Sequence, residues 1–366
     1  MALDVQTVSS LYGGFWNVDV QDFCYMTNRY FPPEEFLESL ASNLPALVGS
    51  YPSTNRHLSS LVAEQLGVKH QELVVGNGAS ELISVITSLR IEHLAIPIPT
   101  FDEYRNRAEL LGKQVSPYAM GMEFALDVDG FIAHALEAGA NSVAIVRPNN
   151  PTGTLVSREE VVQMLRAFGE LDMVLVDESF LCFAGPDYPE LSVADLIHEY
   201  PNLVIVNSMS KAYGVPGLRL GYALSGNQQF IARLRAEVPV WSINSLAQYF
   251  LENMGTYASK FADSCAQVRV ATQALYEGLQ TVHFLDPYPT RGNYVLCRTS
   301  PVLTGSGITA RLFDDFGVLV NDCSGKHGLD ARFFRIASRT TEENEELVRI
   351  LLAVASETPA TERVGG

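Results

Sequence analysis

Short apolar runs alternate with longer segments of helical periodicity through the first two thirds of the chain. Five of the runs are rich in β-branched residues and are predicted to be buried strands: 72–76, 93–97, 141–148, 172–178 and 202–208. Between them, three segments place apolar residues at helical spacing: 80–90, 101–112 and 157–171. This alternation is typical of a largely parallel sheet covered by helices. Ligands of such sheets bind at the carboxyl ends of the strands.

The pattern changes after about residue 245, which indicates a second structural unit. Long helical segments follow, with two further strand-like runs at 293–298 and 317–321. We therefore expect four parts along the chain. They are an N-terminal arm that contributes to the small domain (1–45), a large cofactor-binding domain (46–245), a small α/β domain (246–356) and a tail expected to be disordered (357–366).

One helix start carries a specific signal. Ser157 precedes the third helical segment and Glu160 follows three residues later, which is the pattern of a capping box.

Charge and composition restrict the classes of partner. The net charge of −17 opposes binding to nucleic acid or to an anionic membrane, because both need a basic surface. No apolar run reaches the ~18 residues of a membrane-spanning helix. The first ten residues, MALDVQTVSS, lack a basic region before an apolar stretch, so a cytoplasmic location is expected.

Cysteine and histidine spacing argues against a metal centre. The cysteines stand at 24, 182, 265, 297 and 323, with no CxxC pair, which favours reduced thiols in a cytosolic compartment. The seven histidines are scattered singly, so no metal site is expected.

Two turns at predicted strand ends are candidates for ligand binding. In GNGASEL (76–82), a helix starting near Ala79 or Ser80 would direct free N–H groups at a phosphate, although a tight turn with a serine cap explains the same residues. In RPNNPTG (147–153), Asn150 either initiates a turn before Pro151 or donates a hydrogen bond to a ligand oxygen.

A carboxylate and a lysine complete the candidate chemistry. Asp177 ends an apolar run, where it is either a helix N-cap or the partner of a buried cationic nitrogen. Lys211 lies in VNSMSKAYGVPGLRLGY (206–222) among serines and glycines. A surface lysine needs no such small neighbours, whereas a lysine that forms a Schiff base needs a close, shaped pocket. Arg219 follows eight residues later and could bind a phosphate bidentately.

The order of these motifs resembles that of the fold-type I pyridoxal-phosphate (PLP) enzymes, in the class I/II aminotransferase group, over roughly residues 12–352. Segments such as LYGGF, PTFDEYRNRAEL and VPGLRLGY are similar to those of the histidinol-phosphate aminotransferase and threonine-phosphate decarboxylase group. The resemblance implies an α/β fold, with a three-layer large domain around a mainly parallel seven-stranded sheet and a smaller α/β C-terminal domain. It also implies PLP as the cofactor, a small amino acid as the substrate and a homodimer with sites at the interface.

The resemblance also implies residue roles. Lys211 would form the Schiff base and act as the proton-transfer base, Asp177 would pair with the pyridinium nitrogen, and Phe101 would stack on the ring. Asn150 would hydrogen-bond the phenolic oxygen of the cofactor. The phosphate would be held by Gly78, Ala79, Ser80, Ser208, Ser210 and Arg219, with the partner subunit's Tyr51. The substrate would meet Arg335, at the family's α-carboxylate position, together with Asn150, Tyr12, Asn28 and Asn321.

Several positions depart from that family pattern. Phe180 stands where many aminotransferases have tyrosine, and Tyr12 stands where the decarboxylase has histidine. Asn28 alone remains of an Asn-x-Asn-Pro segment. Asn321 replaces the second arginine of relatives that bind phosphorylated substrates, and Asp322 follows it. Because an acid beside a phosphate pocket opposes a dianion, we expect a substrate without a phosphate, with a neutral or cationic distal group.

The bond held perpendicular to the cofactor ring decides the reaction, and the sequence does not fix that angle. Transamination is the frequent outcome in the resembling group, so an aminotransferase is favoured. Decarboxylation of an amino acid is the alternative, followed by other Cα or Cβ reactions in a specialised biosynthetic pathway.

Overall fold

The computed structural model describes residues 5–11 and 13–357, and its strands form two separate sheets. In those ranges the strands are β1 Gln21–Phe23, β2 Leu73–Asn77, β3 His93–Ile98, β4 Gln114–Ala119, β5 Ser142–Val146, β6 Met173–Asp177, β7 Leu203–Asn207, β8 Leu220–Leu224, β9 Leu285–Pro287, β10 Tyr294–Thr299, β11 Val318–Asp322 and β12 Phe333–Ala337. The helices are α1 Val5–Ser10, α2 Glu34–Val48, α3 Asn55–Leu66, α4 Gly78–Arg90, α5 Glu103–Leu110, α6 Val128–Glu137, α7 Arg158–Ala167, α8 Tyr188–Leu191, α9 Met209–Ala212, α10 Gln228–Glu237, α11 Ser245–Asn253, α12 Ala258–Leu279, α13 Gly305–Phe316 and α14 Thr341–Ser356. Tyr12 and all but the first residue of the predicted tail lie outside the described residues.

The larger sheet has seven strands in the order β2-β8-β7-β6-β5-β3-β4. Strands β3 to β7 pair in parallel, whereas β8 runs antiparallel to both β2 and β7. This confirms the predicted, mainly parallel seven-stranded sheet, and the five predicted strands agree with it within two residues. Strand β4 lies at an edge with little burial, and β8 contains Gly221, so neither has a clear apolar signal.

Helices cover both faces of this sheet, so the large unit has the three layers that we expected. Alternate residues of β6 face opposite layers, as the two-residue period of a strand requires. Val174 and Val176 pack with α3, α6 and α7, whereas Met173 and Leu175 pack with α4, α5 and α10. All five residues of β6 are buried, which explains its continuous apolar run.

The smaller sheet has the order β1-β11-β12-β10-β9. Strand β1, from the N-terminal part of the chain, pairs in parallel with β11, while β12 is antiparallel to both β10 and β11. Helices α12, α13 and α14 contribute to the apolar core beside it. The N-terminal segment thus joins a sheet built mainly from C-terminal residues, and the exact domain boundaries stay a prediction.

The predicted capping box is present at the start of α7. The Ser157 hydroxyl accepts from the Glu160 N–H at 3.2 Å, and the Glu160 carboxylate accepts from the Ser157 N–H at 2.7 Å. Among the described residues, no helix has the length and apolar character needed to cross a bilayer.

The loop that follows Lys211 lies directly against the N-terminal segment. Gly214 has φ +60°, and a Cβ at this position would overlap the carbonyl oxygens of Phe31 and Asn28. A glycine is needed here because it tolerates the left-handed conformation and leaves room for these carbonyls.

We predict that Gly214→Ala destabilises the fold by about 1–3 kcal/mol, since it combines a positive φ with steric overlap. The thermal unfolding midpoint should fall by a few degrees. Gly217→Ala is a matched control in the same loop, because a Cβ there would meet nothing within 4 Å. Equal midpoints for the two variants would contradict the prediction.

Candidate active site

Lys211 lies one turn beyond the end of β7, at the carboxyl edge of the large sheet. It belongs to the short helix α9, and its carbonyl oxygen accepts a hydrogen bond from the Asn28 N–H at 3.0 Å. Burial, together with the cationic Arg335 and Arg219, lowers the pKa of the Lys211 amine to about 8. At pH 7.5 such an amine is neutral in about one molecule in four, against about one in a thousand for an ordinary lysine. The site therefore favours a nucleophilic, proton-accepting lysine.

Asp177 occupies the last position of β6 and is 3% exposed. Its Oδ2 accepts from the Tyr104 hydroxyl at 2.7 Å, and its Oδ1 accepts from the Ser179 N–H at 2.9 Å. Burial raises the pKa of Asp177, whereas these hydrogen bonds and the nearby Lys211 oppose that rise. Of the two interpretations left open above, the N-cap is not observed, because the Ser179 contact is a two-residue side-chain turn rather than a helix cap.

Tyr104 is a site residue that the sequence analysis did not identify. It lies on α5 with no exposed surface, and the ring of Phe101 meets it edge-on with centroids 6.2 Å apart. In the sequence it follows Phe101 by three residues, which is the spacing of one helix face. That spacing indicates a shared face but does not reveal the carboxylate that the hydroxyl contacts.

The start of α4 and the side chain of Arg219 form a cationic cradle. Gly78 has φ +73° and donates its N–H to the Arg219 carbonyl at 2.8 Å. The Arg219 guanidinium lies so close to Gly78 that a Cβ would overlap it. Ala79 and Ser80 follow in the first turn, where N–H groups lack partners within the helix. A helix N-terminus beside an arginine suits a phosphate.

The two serines before Lys211 have different surroundings. Ser208 donates its N–H to the Ser179 hydroxyl at 2.8 Å, and its own hydroxyl bonds to no other described residue. Ser210 is 1% exposed, and its hydroxyl donates to the Leu220 carbonyl and accepts from the Leu220 N–H, both at 3.1 Å. The Ser210 hydroxyl is therefore engaged in fixing the start of β8 to α9, and a phosphate contact of Ser210 stays a prediction.

Arg335 links the two sheets at the site. It lies on β12 with 4% exposure, and its guanidinium donates to the Asn150 side-chain oxygen and, at 2.7 Å, to the Cys24 carbonyl. Its Nε is buried without a partner. Tyr294 supports the guanidinium with its ring 5.6 Å away. Asn150 is 5% exposed, so the contact is shielded from water.

Two neighbours complete this part of the site. Asn321 pairs with Arg335 across β11 and β12, which places the two side chains on one face of the small sheet. Phe180 packs edge-on against Tyr294 at 5.1 Å and has no hydroxyl to offer a ligand.

Three further predicted residues are not placed in this cluster by any observed contact. Asn28 is buried, and its amide group donates to the Ala212 carbonyl and the Ser264 hydroxyl, while its oxygen accepts from the Tyr30 N–H. These bonds anchor the Lys211 loop, and a substrate contact of Asn28 stays a prediction. Tyr51 is 78% exposed and packs on Trp241 with ring centroids 4.4 Å apart. Tyr12 lies outside the described residues.

The residues present fit PLP. An amine of lowered pKa, a buried carboxylate held by two donors, and a helix start beside an arginine match its aldehyde, ring nitrogen and phosphate. Asp177 and Lys211 lie close enough to interact electrostatically, so one ligand can reach both. Within residues 5–11 and 13–357, no cluster of three potential metal ligands is found.

The fold and this site define a fold-type I PLP enzyme. The chain belongs to the aminotransferase class I and II family, whose model matches residues 17–351. PLP is the cofactor of this family and of this chain.

Similar proteins include decarboxylases as well as aminotransferases. The chain is 34% identical over 93% of its length to a CMP-5'-(3-aminopropyl)phosphonate synthase from Streptomyces rubellomurinus, of which it spans about half (54%). It is 29% identical to an L-serine phosphate decarboxylase from Sulfurospirillum multivorans, over 91% of this chain and 88% of the relative. The histidinol-phosphate aminotransferase of Clostridium acetobutylicum has a solved structure with a TM-score of 0.85 and 27% identity, covering 93% of this chain and all of that one.

We predict that Arg335→Met raises the pKa of Lys211, because it removes a neighbouring positive charge. The neutral amine reacts with the cofactor aldehyde, so the rate of cofactor uptake by the cofactor-free protein rises with pH through this pKa. The midpoint of that profile, followed by absorbance, should move to higher pH by roughly half a unit to one unit. Arg335→Lys keeps the charge and should move it little, and an unmoved midpoint in Arg335→Met would refute the electrostatic account.

Proposed function

We propose that the chain is a PLP-dependent decarboxylase of an α-amino acid. The observation that carries the proposal is that Lys211 interacts electrostatically with both Asp177 and Arg335, so a lysine of lowered pKa, a buried carboxylate and a buried guanidinium lie near one another at the carboxyl edge of the large sheet. An amino acid presents an amine and a carboxylate on one carbon; the guanidinium of Arg335 would bind the carboxylate, while the amine would face the cofactor aldehyde that Lys211 would hold.

Each side chain has a defined part in this proposal. PLP, when bound, supplies an electron sink for the pair released from a bond to Cα. Asp177 holds the proton on the ring nitrogen, Asn150 orients the ring oxygen, and the α4 start with Arg219 binds the phosphate. Arg335 would bind the α-carboxylate and so determine which of the bonds to Cα is perpendicular to the cofactor ring. Lys211 delivers a proton to Cα after the carboxylate leaves.

Similarity to named decarboxylases supports this reaction over transamination. The L-serine phosphate decarboxylase matches over about nine tenths of both chains. The named product of the Streptomyces enzyme, an aminopropylphosphonate, has an amine and no carboxylate. Transamination remains the second candidate, because the histidinol-phosphate aminotransferase shares the fold at 27% identity.

Two observations point to different distal groups on the substrate. The names of the similar relatives contain a phosphate or a phosphonate, which favours an anionic amino acid and gives no support to the expected absence of phosphate. Asn321 beside Arg335 offers an amide and no charge, which favours a neutral group. O-Phospho-L-serine and L-serine separate these alternatives.

We expect the holoenzyme to release carbon dioxide from one of these amino acids without a 2-oxo acid, leaving the corresponding amine. Mass detection of products and a carbon dioxide assay measure this directly. Lys211→Ala should lower turnover by about 10²–10⁴-fold, since it removes the proton donor. Product formation that requires 2-oxoglutarate and yields a 2-oxo acid would instead establish transamination.

A homodimer also belongs to the proposal. Val48, Tyr51, Val240 and Trp241 are between 53% and 78% exposed, and the Tyr51–Trp241 contact brings their two segments together. An exposed apolar patch of this kind is typical of an interface. In a dimer, the partner subunit's Tyr51 would reach the cofactor phosphate, so each site would need both chains.

Mixed dimers test this arrangement. Tyr51→Phe should weaken cofactor binding about tenfold by loss of one charge-assisted hydrogen bond, and Lys211→Ala should be inactive. When the two variants are co-expressed, a mixed dimer contains one site with both defects and one intact site. We expect the mixed dimer to have about half of the wild-type activity, and its active sites to bind the cofactor with wild-type affinity. If Tyr51 served its own subunit, every site that retains Lys211 would carry the Tyr51→Phe change, and no site of full cofactor affinity would form.

A further inference from the structure

A second cavity lies behind the loops that carry Asp177 and Lys211, in the apolar layer between the large sheet and α3. Its volume is about 350 Å³, which is within the range of small-molecule pockets. Val62, Leu66, Leu224, Met254 and Phe261 supply apolar walls. A space of this size would hold about ten waters, most of them against side chains that offer no hydrogen bond.

Three tyrosines line this cavity. Tyr188, Tyr213 and Tyr222 all line it, and each influences the ionisation of at least one of the others, so the three are neighbours. None of these hydroxyls forms a hydrogen bond with another described residue. Burial raises the pKa of Tyr188 to about 12 and raises those of the other two further, so all three remain neutral donors. All three tyrosines are half-buried, so a ligand or water in the cavity is left to accept from their hydroxyls.

Gln65 and Asn207 also line the cavity and add neutral amide groups, and no hydrogen bond from a tyrosine hydroxyl to either is found among the described residues. Glu178 is the one carboxylate in the lining, and its oxygens already accept from Arg147 at 2.8 Å, Ser192 at 2.6 Å and the Val193 N–H at 3.1 Å. No lysine, arginine or histidine is among the lining residues, so an anionic ligand would find no counter-charge. The complementary ligand is neutral.

From these features we infer that the cavity is a second binding site, for a neutral small molecule with an apolar body and a carbonyl or ether oxygen. The oxygen accepts from the tyrosine hydroxyls, and the body covers the aliphatic and aromatic walls. This site is separate from the space occupied by PLP and by the amino acid substrate.

Ser179 connects the cavity to the cofactor site. It lines the cavity, its N–H donates to Asp177 at 2.9 Å, and its hydroxyl accepts from the Ser208 N–H at 2.8 Å. Met209 and Ala212, on either side of Lys211, also belong to the lining. A bound molecule would therefore contact the segments that hold both the ring-binding carboxylate and the Schiff-base lysine, which makes the site suited to regulation.

Three probes of similar size test the chemistry of the site on the holoenzyme without substrate. Acetophenone has an aromatic body and a carbonyl oxygen, ethylbenzene lacks the oxygen, and benzoate carries a charge. Saturation-transfer NMR and titration should give one acetophenone per chain, with binding at least five-fold weaker for ethylbenzene and weaker still for benzoate. A crystal soaked in acetophenone should show the carbonyl among the three hydroxyls.

Conservative variants assign the binding to this cavity. Tyr213→Phe combined with Tyr222→Phe removes two donors without changing the packing, and should weaken acetophenone at least five-fold while leaving ethylbenzene unchanged. Tyr118→Phe is the control, because Tyr118 lies on the distant edge strand β4 and its hydroxyl donates to Asp127. Retained cofactor absorbance shows that the variants are folded.

Three results would overturn the inference. The first is that acetophenone does not bind at millimolar concentration and the cavity holds only ordered waters. The second is equal affinity for acetophenone and ethylbenzene. The third is an acetophenone affinity that the tyrosine substitutions leave unchanged. All of these are read without turnover, so they are independent of whether the enzyme is a decarboxylase.

Discussion

The site depends on holding opposite charges in a place from which water is largely removed. The amine of Lys211 is made less basic by burial and by two arginines, while the carboxylate of Asp177 stays available through hydrogen bonds from Tyr104 and Ser179. Neither group would have these properties on the surface, because water would screen the neighbours that act on it. The parallel sheet supplies the location, since the ends of β6 and β7 bring both groups to one edge.

Local motifs made much of this predictable from the sequence. The alternation of buried strands and helices indicates the large sheet, and the order of the Asp177, Lys211 and Arg219 motifs carries the resemblance that implies a PLP site. The strands β4 and β8 could not be predicted in the same way, because one is a partly polar edge strand and the other contains glycine. The resemblance extended the analysis to Arg335, which is distant in the chain.

What the sequence did not indicate is how polar groups are paired. Ser210 and Asn28 stand beside Lys211 in sequence or in space, yet their donors bond to Leu220, Ala212 and Ser264. Tyr104 shows the opposite case. A buried tyrosine on a helix is first interpreted as a core residue, and only the structure shows that its hydroxyl donates to Asp177. A sequence gives the donors and acceptors, whereas their pairing depends on distant segments that only the folded chain brings together.

The bridge made by Arg335 has a mechanical consequence. One guanidinium ties Asn150, at the end of the large sheet, to the Cys24 carbonyl beside the small sheet. If Arg335 binds the substrate carboxylate, as proposed, that carboxylate must share or replace those contacts. Substrate binding would then exchange a direct link within the protein for one that passes through the substrate. The two parts of the protein would then be linked through the bound substrate, and release of the product would restore the direct contacts of Arg335.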